Sequence, residues 1–421
     1  MCQHHSEVEA TTSGAPLSYS NPGASLEPFP WDAGVFDAHC HPTDTMASIT
    51  SIPQMKARAL TVMSTRSQDQ DLVSDVASRY SVEDDSTAVS SRSSVEGRLI
   101  PCFGWHPWFS YQIYDDSSSN LTYDGTPSGK ISHYDKILVP PPSSKDVSFS
   151  EGLPDPQPLS EFLRETKSRL EKHPIALVGE VGLDKAFRLP ESWTSTINSE
   201  RDEGLTPGGR EGRLLSPHRV QMAHQAAILQ AQLRLAGEMG RAVSIHGVQA
   251  HGVLYKTMSQ LWKGHEKPVL SRRDQRRIAE GAEDFSSSSE DEIDEAYVKP
   301  SVRKAKPKKG PKPYPPRICV HSFSGPAEVV KQYLHPSVPA DIFFSFSIAV
   351  NWATGGGDKA EEAIRAIPDD RILAESDLHT AGEEMDQYLE EVCRKICEVK
   401  GWNLREGVEQ LGRNWRAFIF G

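Results

Sequence analysis

Eight short apolar runs, separated by longer helix-like stretches, constrain the fold of this chain more than any other feature. They are rich in Val, Ile, Leu and Phe and lack alternation, which predicts strands buried on both faces. The runs are residues 34–39, 59–64, 98–104, 175–180, 242–246, 317–321, 341–347 and 371–375. Eight such strands alternating with helices predict an α/β protein with a (β/α)8 TIM-barrel fold.

The stretches between the runs carry helix signals. Ser216 is a favourable N-cap and Pro217 suits the first helical position, so a helix is predicted from there to Gly240, a residue type that ends helices. Apolar residues at helical spacing predict further helices at 251–262, 327–334, 358–367 and 383–401.

Polar segments interrupt this rhythm. Residues 1–30 are rich in Ser, Pro, Gly and Thr and predict a disordered N-terminal arm, with order beginning at Trp31. Polar surface insertions are predicted at about 81–97, 113–158 and 264–316, because such compositions bury too little apolar area to offset the entropy of ordering. One barrel domain, interrupted by these insertions, is therefore predicted over residues 31–421.

The third insertion has a strongly biased charge pattern. Residues 280–295 hold eight acidic and no basic side chains, whereas residues 299–312 hold seven basic and no acidic ones. Ser287, Ser288 and Ser289 each precede an acidic residue by three positions, which suits acidophilic kinases. These charged insertions are a candidate site for a protein partner, although a solvated charge run is the simpler interpretation.

Composition sets further limits. Only 37% of the 421 residues are hydrophobic, and the formal net charge is −12, so coating of nucleic acid through bulk charge is not expected. The six cysteines are scattered and predict free thiols rather than a disulfide framework. Neither a secretory signal nor a membrane span is predicted, so we expect an intracellular protein of the cytoplasm, the nucleus or both, without membrane association.

Polar side chains end many of the predicted strands. Catalytic groups of a TIM barrel stand at the C-terminal ends of its strands. There His39 and His41 are two residues apart in an extended segment, so both rings point to one side. The other polar strand ends are His106, Glu180, Asp184, His246, His321 and Asp377. A set of four histidines and two carboxylates has too many donors for one tetrahedral site and suits two divalent ions bridged by a carboxylate. The set is His39, His41, His246, His321, Glu180 and Asp377.

At these residues the sequence resembles the TatD family of metal-dependent deoxyribonucleases, within the amidohydrolase-like barrel group. The matching segments are FDAHCH, CFGWHP, VGEVGLD, SIHG, VHSFSG and AESD, in the order of the family. The resemblance covers residues 34–421 apart from the insertions. These insertions resemble those of a fungal branch of TatD-like proteins.

The resemblance implies a role for each matching position. His39, His41 and Asp377 would hold one metal ion, His246 and His321 the second, and Glu180 would bridge both ions, which would be Mg²⁺, Mn²⁺ or Zn²⁺. Asp377 would also accept a proton from the attacking water. His106 would face the substrate phosphate. Asp184 would either orient a ligand or cap the following loop.

Two positions depart from the family pattern. The family usually has an Arg two residues after the histidine of strand five, where this chain has Val248. The final Asp of the family usually precedes a small residue and Pro, where this chain has Leu378 and then His379. His379 is either a polar group at the mouth of the site or a solvated loop histidine. The missing Arg removes a bidentate phosphate donor.

Three functions are compatible with the sequence. The first is a two-metal phosphodiesterase acting on DNA, at ends or single strands, in which the aromatic patch Trp105, Trp108, Phe109 and Tyr111 stacks on bases or packs in the core. The second is an amidohydrolase-like enzyme for a small molecule, a group in which a carboxylated Lys often bridges the metals. The third is a weakly active or inactive scaffold for protein interactions, suggested by the missing Arg and the charged insertions.

Overall fold

A computed structural model describes residues 27–85, 97–142, 147–192, 202–269, 310–353 and 355–421. Eight parallel strands in sequential order form one sheet. They are β1 (Phe36–Cys40), β2 (Ala59–Met63), β3 (Leu99–Phe103), β4 (Leu177–Asp184), β5 (Val243–Val248), β6 (Arg317–Val320), β7 (Asp341–Phe346) and β8 (Ile372–Ala374). All eight predicted strands are therefore confirmed.

The first and last strands approach each other and complete the barrel. The Asp377 N–H donates to the His39 carbonyl at 3.0 Å, and the His41 N–H donates to the Leu378 carbonyl at 2.8 Å. These bonds join the segments just beyond β1 and β8, where the predicted site residues stand. The fold is thus the predicted TIM barrel.

Ten α-helices are present in the described parts of the chain. They are α1 (Ser67–Tyr80), α2 (Pro127–Ile137), α3 (Val147–Gly152), α4 (Leu159–Lys172), α5 (Met222–Glu238), α6 (His251–Trp262), α7 (Ala327–Tyr333), α8 (Gly357–Ala366), α9 (Glu383–Lys400) and α10 (Leu404–Ile419). Helices α6 to α9 follow the predicted ranges to within one residue at each end. Trp415 of α10 stacks on Phe36 of β1 at 4.4 Å and donates its indole N–H to Thr61, so α10 packs against the barrel strands.

The predicted start of helix α5 at Ser216 is wrong. The backbone of this segment is used for strand pairing instead, because the Ser216 N–H donates to the Leu189 carbonyl and Val220 pairs with Leu138. The first helical residue is consequently Met222, five residues after the predicted Pro217. Local capping preference at Ser216 is overridden by these longer-range backbone bonds.

Residues 113–158 are not the unstructured polar insertion that their composition predicts. They contain α2, α3 and three two-residue strands, and Tyr134 of α2 is fully buried. Their apolar side chains pack with those of neighbouring segments in a second core. The core includes Phe109, Tyr134, Ile137, Leu138, Leu159 and Phe162. A few well-placed apolar residues thus order a stretch whose average composition is polar.

Several sequence predictions fall outside the described residues. These concern residues 1–26 of the predicted arm, most of the 81–97 and 264–316 insertions, and the serines within the acidic block. The five cysteines in the described ranges are all free and buried. No helix in the described ranges is both long and apolar enough to cross a membrane.

A strap, defined by the described residues 185–192 and 202–219, follows β4 and crosses the mouth of the barrel. The Leu189 N–H donates to the His218 carbonyl, so the two arms of the strap pair with each other. Thr206 is bonded through its N–H to the Asp44 carbonyl and through its hydroxyl to the Thr43 carbonyl. The strap therefore connects the end of β4 with the loop after β1.

Candidate metal centre

Six strand ends bring imidazoles and carboxylates into one buried cluster. It comprises His39 and His41 at the end of β1, His106 after β3, Glu180 in β4, His246 in β5, His321 after β6 and Asp377 after β8. As the i, i+2 spacing predicts, the rings at the end of β1 face the same space, with their Nε2 atoms 3.1 Å apart. All six sequence-predicted ligands and His106 thus lie together.

Three groups of donor atoms in this cluster are compact enough to hold a metal ion, with all atoms of a group within 4.8 Å of one another. The groups are His39, His41 and Asp377; His39, Glu180 and His321; and His106, Glu180 and His246. Nitrogen and carboxylate donors without thiolates suit a hydrolytic metal centre rather than a structural zinc site. His106, predicted to face the substrate phosphate, is therefore also close enough to be a ligand.

The two oxygens of Glu180 lie closest to different imidazoles of the cluster. Oε2 lies 3.5 Å from His39 Nε2 and 3.4 Å from His41 Nε2. Oε1 lies 2.7 Å from His321 Nε2 and 2.9 Å from His246 Nδ1. One carboxylate therefore spans the space between two sets of imidazoles, which is the geometry that a bridging ligand requires.

Unsatisfied polar atoms support the fit of a cation. Among the residues that the structure describes, the buried atoms Asp377 Oδ1 and His321 Nδ1 have no hydrogen-bond partner. Asp377 Oδ1 lies 3.4 Å from His41 Nε2. A buried carboxylate oxygen without a donor is costly, and a metal ion is a partner that satisfies it. The donor set thus fits divalent cations.

The electrostatic environment holds much of the cluster in ligand form. Burial lowers the pKa of His41 to about 4 and that of His106 to about 3, so both rings are neutral at pH 7 with a free lone pair. Burial alone would raise the pKa of Glu180, but His106 and the other imidazoles hold that pKa well below its ordinary value.

His321 differs from its neighbours in charge. Burial alone would lower its pKa, but the carboxylates of Glu180 and Glu375 raise it to about 10. The ring is therefore protonated when Glu180 is its principal partner. Metal binding to a protonated histidine releases that proton.

Asp184 contacts both the candidate ligand His246 and the backbone of the following loop, so its geometry is compatible with both of its predicted roles. Its Oδ2 accepts hydrogen bonds from His246 Nε2 at 3.1 Å and from the indole N–H of Trp108 at 2.6 Å. Its Oδ1 accepts the backbone N–H groups of Ala186 and Phe187. The hydrogen bond to one ring nitrogen leaves the other, Nδ1, turned toward Glu180.

Two further buried carboxylates support the cluster, and sequence reasoning did not assign them a role. Glu375 accepts the backbone N–H of Ser322 at 2.7 Å and the Ser345 hydroxyl. Asp37 accepts the Ser376 N–H and hydroxyl, which ties β1 to the segment after β8. Both are charged residues inside apolar runs, which is the signal that identifies them in the sequence.

Two non-glycine residues of the site have left-handed backbone. Asp377 has a φ of 56° and Ser322 has a φ of 40°. Such conformations are uncommon for residues with a side chain and cluster at functional sites. They place the Asp377 carboxylate and the Ser322 N–H where continued strand geometry would not.

A cleft of about 1000 Å³ opens from the cluster toward the strap. At its edge His379 Nδ1 bonds Asp44 Oδ2 at 2.8 Å, and the His379 ring stacks on His41 at 5.2 Å. Arg66 bonds the same Asp44 through Nη2 at 2.7 Å. His379 is therefore a polar group at the mouth, not a solvated loop histidine.

The aromatic patch beside His106 divides between the core and the cleft. Trp105, Phe109 and Tyr111 are buried, although Phe109 and Tyr111 also reach the wall of the cleft. Trp108 is partly exposed and lines the cleft. Cys40 is buried with its thiol directed to the Thr61 carbonyl, so it belongs to the core.

Comparison with known proteins agrees with this architecture. The sequence pattern of the family described as TatD related DNase matches residues 36–419. The Cut9-interacting protein scn1 of Schizosaccharomyces pombe is 35% identical over 385 residues, which cover 91% of this chain and 98% of that protein. An uncharacterized deoxyribonuclease of Saccharomyces cerevisiae is 25% identical over 347 residues, 81% of this chain and 82% of the relative.

A solved structure is similar over most of the chain as well. YjjV, a TatD homologue from Escherichia coli, superposes with a TM-score of 0.45 and 15% identity, covering 91% of this chain and 96% of that chain. The family match itself runs from the first residue of β1 to the last residue of α10, and thus includes every barrel strand and every residue of the buried cluster. The chain belongs to the TatD-related deoxyribonuclease family.

Proposed function

We propose that this protein is a metal-dependent phosphodiesterase that hydrolyses DNA, at ends or in single strands. The observation that carries the proposal is the position of Glu180, one oxygen of which lies closest to His39 and His41 and the other to His246 and His321. Family membership supports a hydrolase, and a relative is named as a deoxyribonuclease.

The ligand set suits two divalent ions, Mg²⁺, Mn²⁺ or Zn²⁺. His39, His41 and Asp377 would hold one ion and His246 and His321 the other, with Glu180 between them. When bound, such ions activate water and neutralise charge on a phosphoryl group during its displacement.

Other side chains would handle the proton and the substrate. Asp377 Oδ1, which has no hydrogen-bond partner among the described residues, is the proposed acceptor for the proton of the attacking water. His106 lines the cleft with its Nε2 3.1 Å from Glu180 Oε1, which supports its proposed contact with the substrate phosphate. Burial keeps this site poor in bulk water, which strengthens its electrostatic interactions.

The direct test is hydrolysis of a single-stranded deoxyoligonucleotide by a double variant, His39→Ala with His41→Ala. We expect loss of at least about a thousandfold in kcat/KM, because two ligands of one ion are removed. A matched double variant, His265→Ala with His335→Ala, removes two histidines outside the cluster and should retain activity. Equal cleavage by both variants, with Mg²⁺ or Mn²⁺ supplied, would refute the assignment.

The choice of substrate distinguishes the small-molecule alternative from the proposed nuclease. Glu180 stands where many amidohydrolase-like enzymes have a carboxylated Lys, which favours the nuclease branch. Turnover of cyclic amides, without turnover of the oligonucleotide, would favour the alternative.

A second candidate function is protein binding. It is favoured by the relative named as a Cut9-interacting protein, which aligns over 98% of its own length. The proposed partner is the counterpart of Cut9 in the same organism. Size-exclusion chromatography of the two purified proteins should give a complex, and the double variant at His39 and His41 should form it equally well. Separate elution of the wild-type protein and its partner would dismiss this candidate.

The compartment proposed for either function is the cytoplasm or the nucleus. Free buried thiols, such as those of Cys102 and Cys319, are typical of proteins in reducing compartments.

A further inference from the structure

The strap contributes an excess of positive charge to one wall of the cleft. Four cationic residues of the strap line it, against two carboxylates. The cations are Lys185, Arg188, Arg210 and Arg219, and the carboxylates are Glu191 and Glu211. This excess contrasts with the formal net charge of −12 on the whole chain.

These four cations are available to a ligand. Within the described residues, none of them forms an ion pair with a carboxylate, and the side chains of Lys185, Arg188 and Arg219 are exposed. Arg210 uses only its Nε, which donates to the Arg213 carbonyl. Arg66, the other cation of the cleft, is different because it is buried and already bonded.

Arg66 instead fixes the strap in place. Its Nη2 donates to Asp44 and to the Thr206 carbonyl, and its Nε donates to the Pro207 carbonyl at 2.8 Å. Asp69 pairs with its Nη1 at 3.1 Å. With these donors in use, Arg66 attaches the strap to the barrel and leaves anion binding to the exposed cations.

An aromatic pair stands between these cations and the metal centre. Phe187 of the strap stacks on Trp108 with ring centroids 4.8 Å apart and planes 11° from parallel. Both rings are partly exposed and line the cleft. Trp108 also packs edge-on against His106 at 4.8 Å, so the pair adjoins the ligands.

We propose that the strap is the polynucleotide-binding element of this protein, and that it binds single-stranded nucleic acid. The inference rests on the proposed phosphodiesterase function of the adjoining site. The strap cations bind phosphates beyond the scissile bond, and the Trp108–Phe187 pair stacks on a base. Cations along a backbone with aromatic platforms are the common design of sites for single strands.

The size of the cleft favours a single strand over a duplex. Its volume of about 1000 Å³ is at the upper end of the range for small-molecule pockets, which is roughly 300–1000 Å³. Such a space holds a few nucleotides with their bases unstacked from a partner strand. The strap takes over phosphate binding from the loop after β5, where Val248 stands in place of an Arg.

The test is fluorescence anisotropy with a labelled, phosphorothioate-linked single-stranded 12-mer that resists hydrolysis. The variant is Arg188→Gln with Arg219→Gln, two exposed side chains outside the ligand cluster. We expect about tenfold weaker binding, and a salt dependence (log Kd against log salt) that is shallower by about 1.4, or roughly 0.7 for each lost phosphate contact.

The matched control is Arg164→Gln with Arg413→Gln, which removes the same charge from exposed helix positions. Affinity and salt dependence equal to this control would overturn the proposal, provided that both variants melt like the wild type. An equal loss of affinity for a 12-base-pair duplex would overturn the preference for single strands. If the wild type binds the 12-mer through the strap but cleaves no DNA, the proposed function fails and the strap assignment stands.

Discussion

Asp184 connects the metal centre, the aromatic pair and the strap through one carboxylate. One oxygen accepts from His246 and Trp108, and the other accepts from the backbone at the root of the strap. Burial alone would raise its pKa, but the His246 hydrogen bond and charge lower that pKa to about 2. The residue is therefore an anion at neutral pH and a fixed acceptor for the ligand ring.

Replacing Asp184 with Asn should weaken metal binding. The amide nitrogen cannot accept the His246 N–H, so the ligand ring loses its orientation, and we expect about 10- to 100-fold lower metal affinity. Competition with a fluorescent chelator measures this affinity. Trp108→Phe is the control, because it removes the indole donor but keeps the contact between Asp184 and His246. Unchanged affinity in Asp184→Asn would contradict the positioning role.

At the residue scale, the sequence predicts which candidate ligands lie together, but it does not predict the contacts that hold them in place. The spacing of His39 and His41 fixes their common direction, and strand periodicity brings them to the same mouth as His246. The bonds of Arg66 to Asp44 and Pro207 join segments far apart in the chain, and no local pattern encodes such contacts. The proximity of His106 to Glu180 likewise depends on the turn after β3.

Strands β4 and β5 approach each other so closely at Gly182 of β4 that only a glycine fits there. A Cβ atom on Gly182 would lie 2.1 Å from the His246 carbonyl oxygen, and the residue has a φ of 155°. The same two strands carry Glu180 and His246. The glycine therefore maintains the spacing between the Glu180 carboxylate and the His246 imidazole.

Gly182→Ala should destabilise the fold by about 1–3 kcal/mol, because the methyl group forces the two backbones apart. Gly252→Ala, in helix α6 with open space around its Cβ position, should instead be neutral or stabilising by up to about 1 kcal/mol. Urea unfolding measures both free energies. Equal stability of the two variants would show that the strands can separate without cost.

Elements with strong periodicity were predictable, and elements fixed by distant contacts were not. Continuous apolar runs predict all eight strands, and apolar residues at helical spacing predict helices α6 to α9. No local pattern predicts the strap, because its course depends on pairing between Leu189 and His218 and on Thr206 bonding across the mouth. Helix α2 is not predictable from local periodicity for a similar reason. Its Tyr134 is buried by segments that precede and follow the helix in sequence.

On the scale of the whole molecule, the protein is a barrel with a second core beside it. Residues 113–158 are polar in average composition, and the chain as a whole is only 37% hydrophobic, yet this stretch supplies part of that second core. The same core contains Trp105, and Phe187 packs against it next to the cleft. The additional segments therefore shape the wall of the site, whereas the barrel supplies its chemistry.

The central claim, that the buried cluster is a metal centre, is tested most directly by metal-linked thermal unfolding of metal-stripped protein. Titration with Mn²⁺ or Zn²⁺ should stabilise the wild type by about 2.7 kcal/mol at a free metal concentration 100 times Kd. The variant with His39→Ala and His41→Ala should lose most of that gain. An unchanged melting temperature of the wild type, or an equal rise in both proteins, would contradict the account.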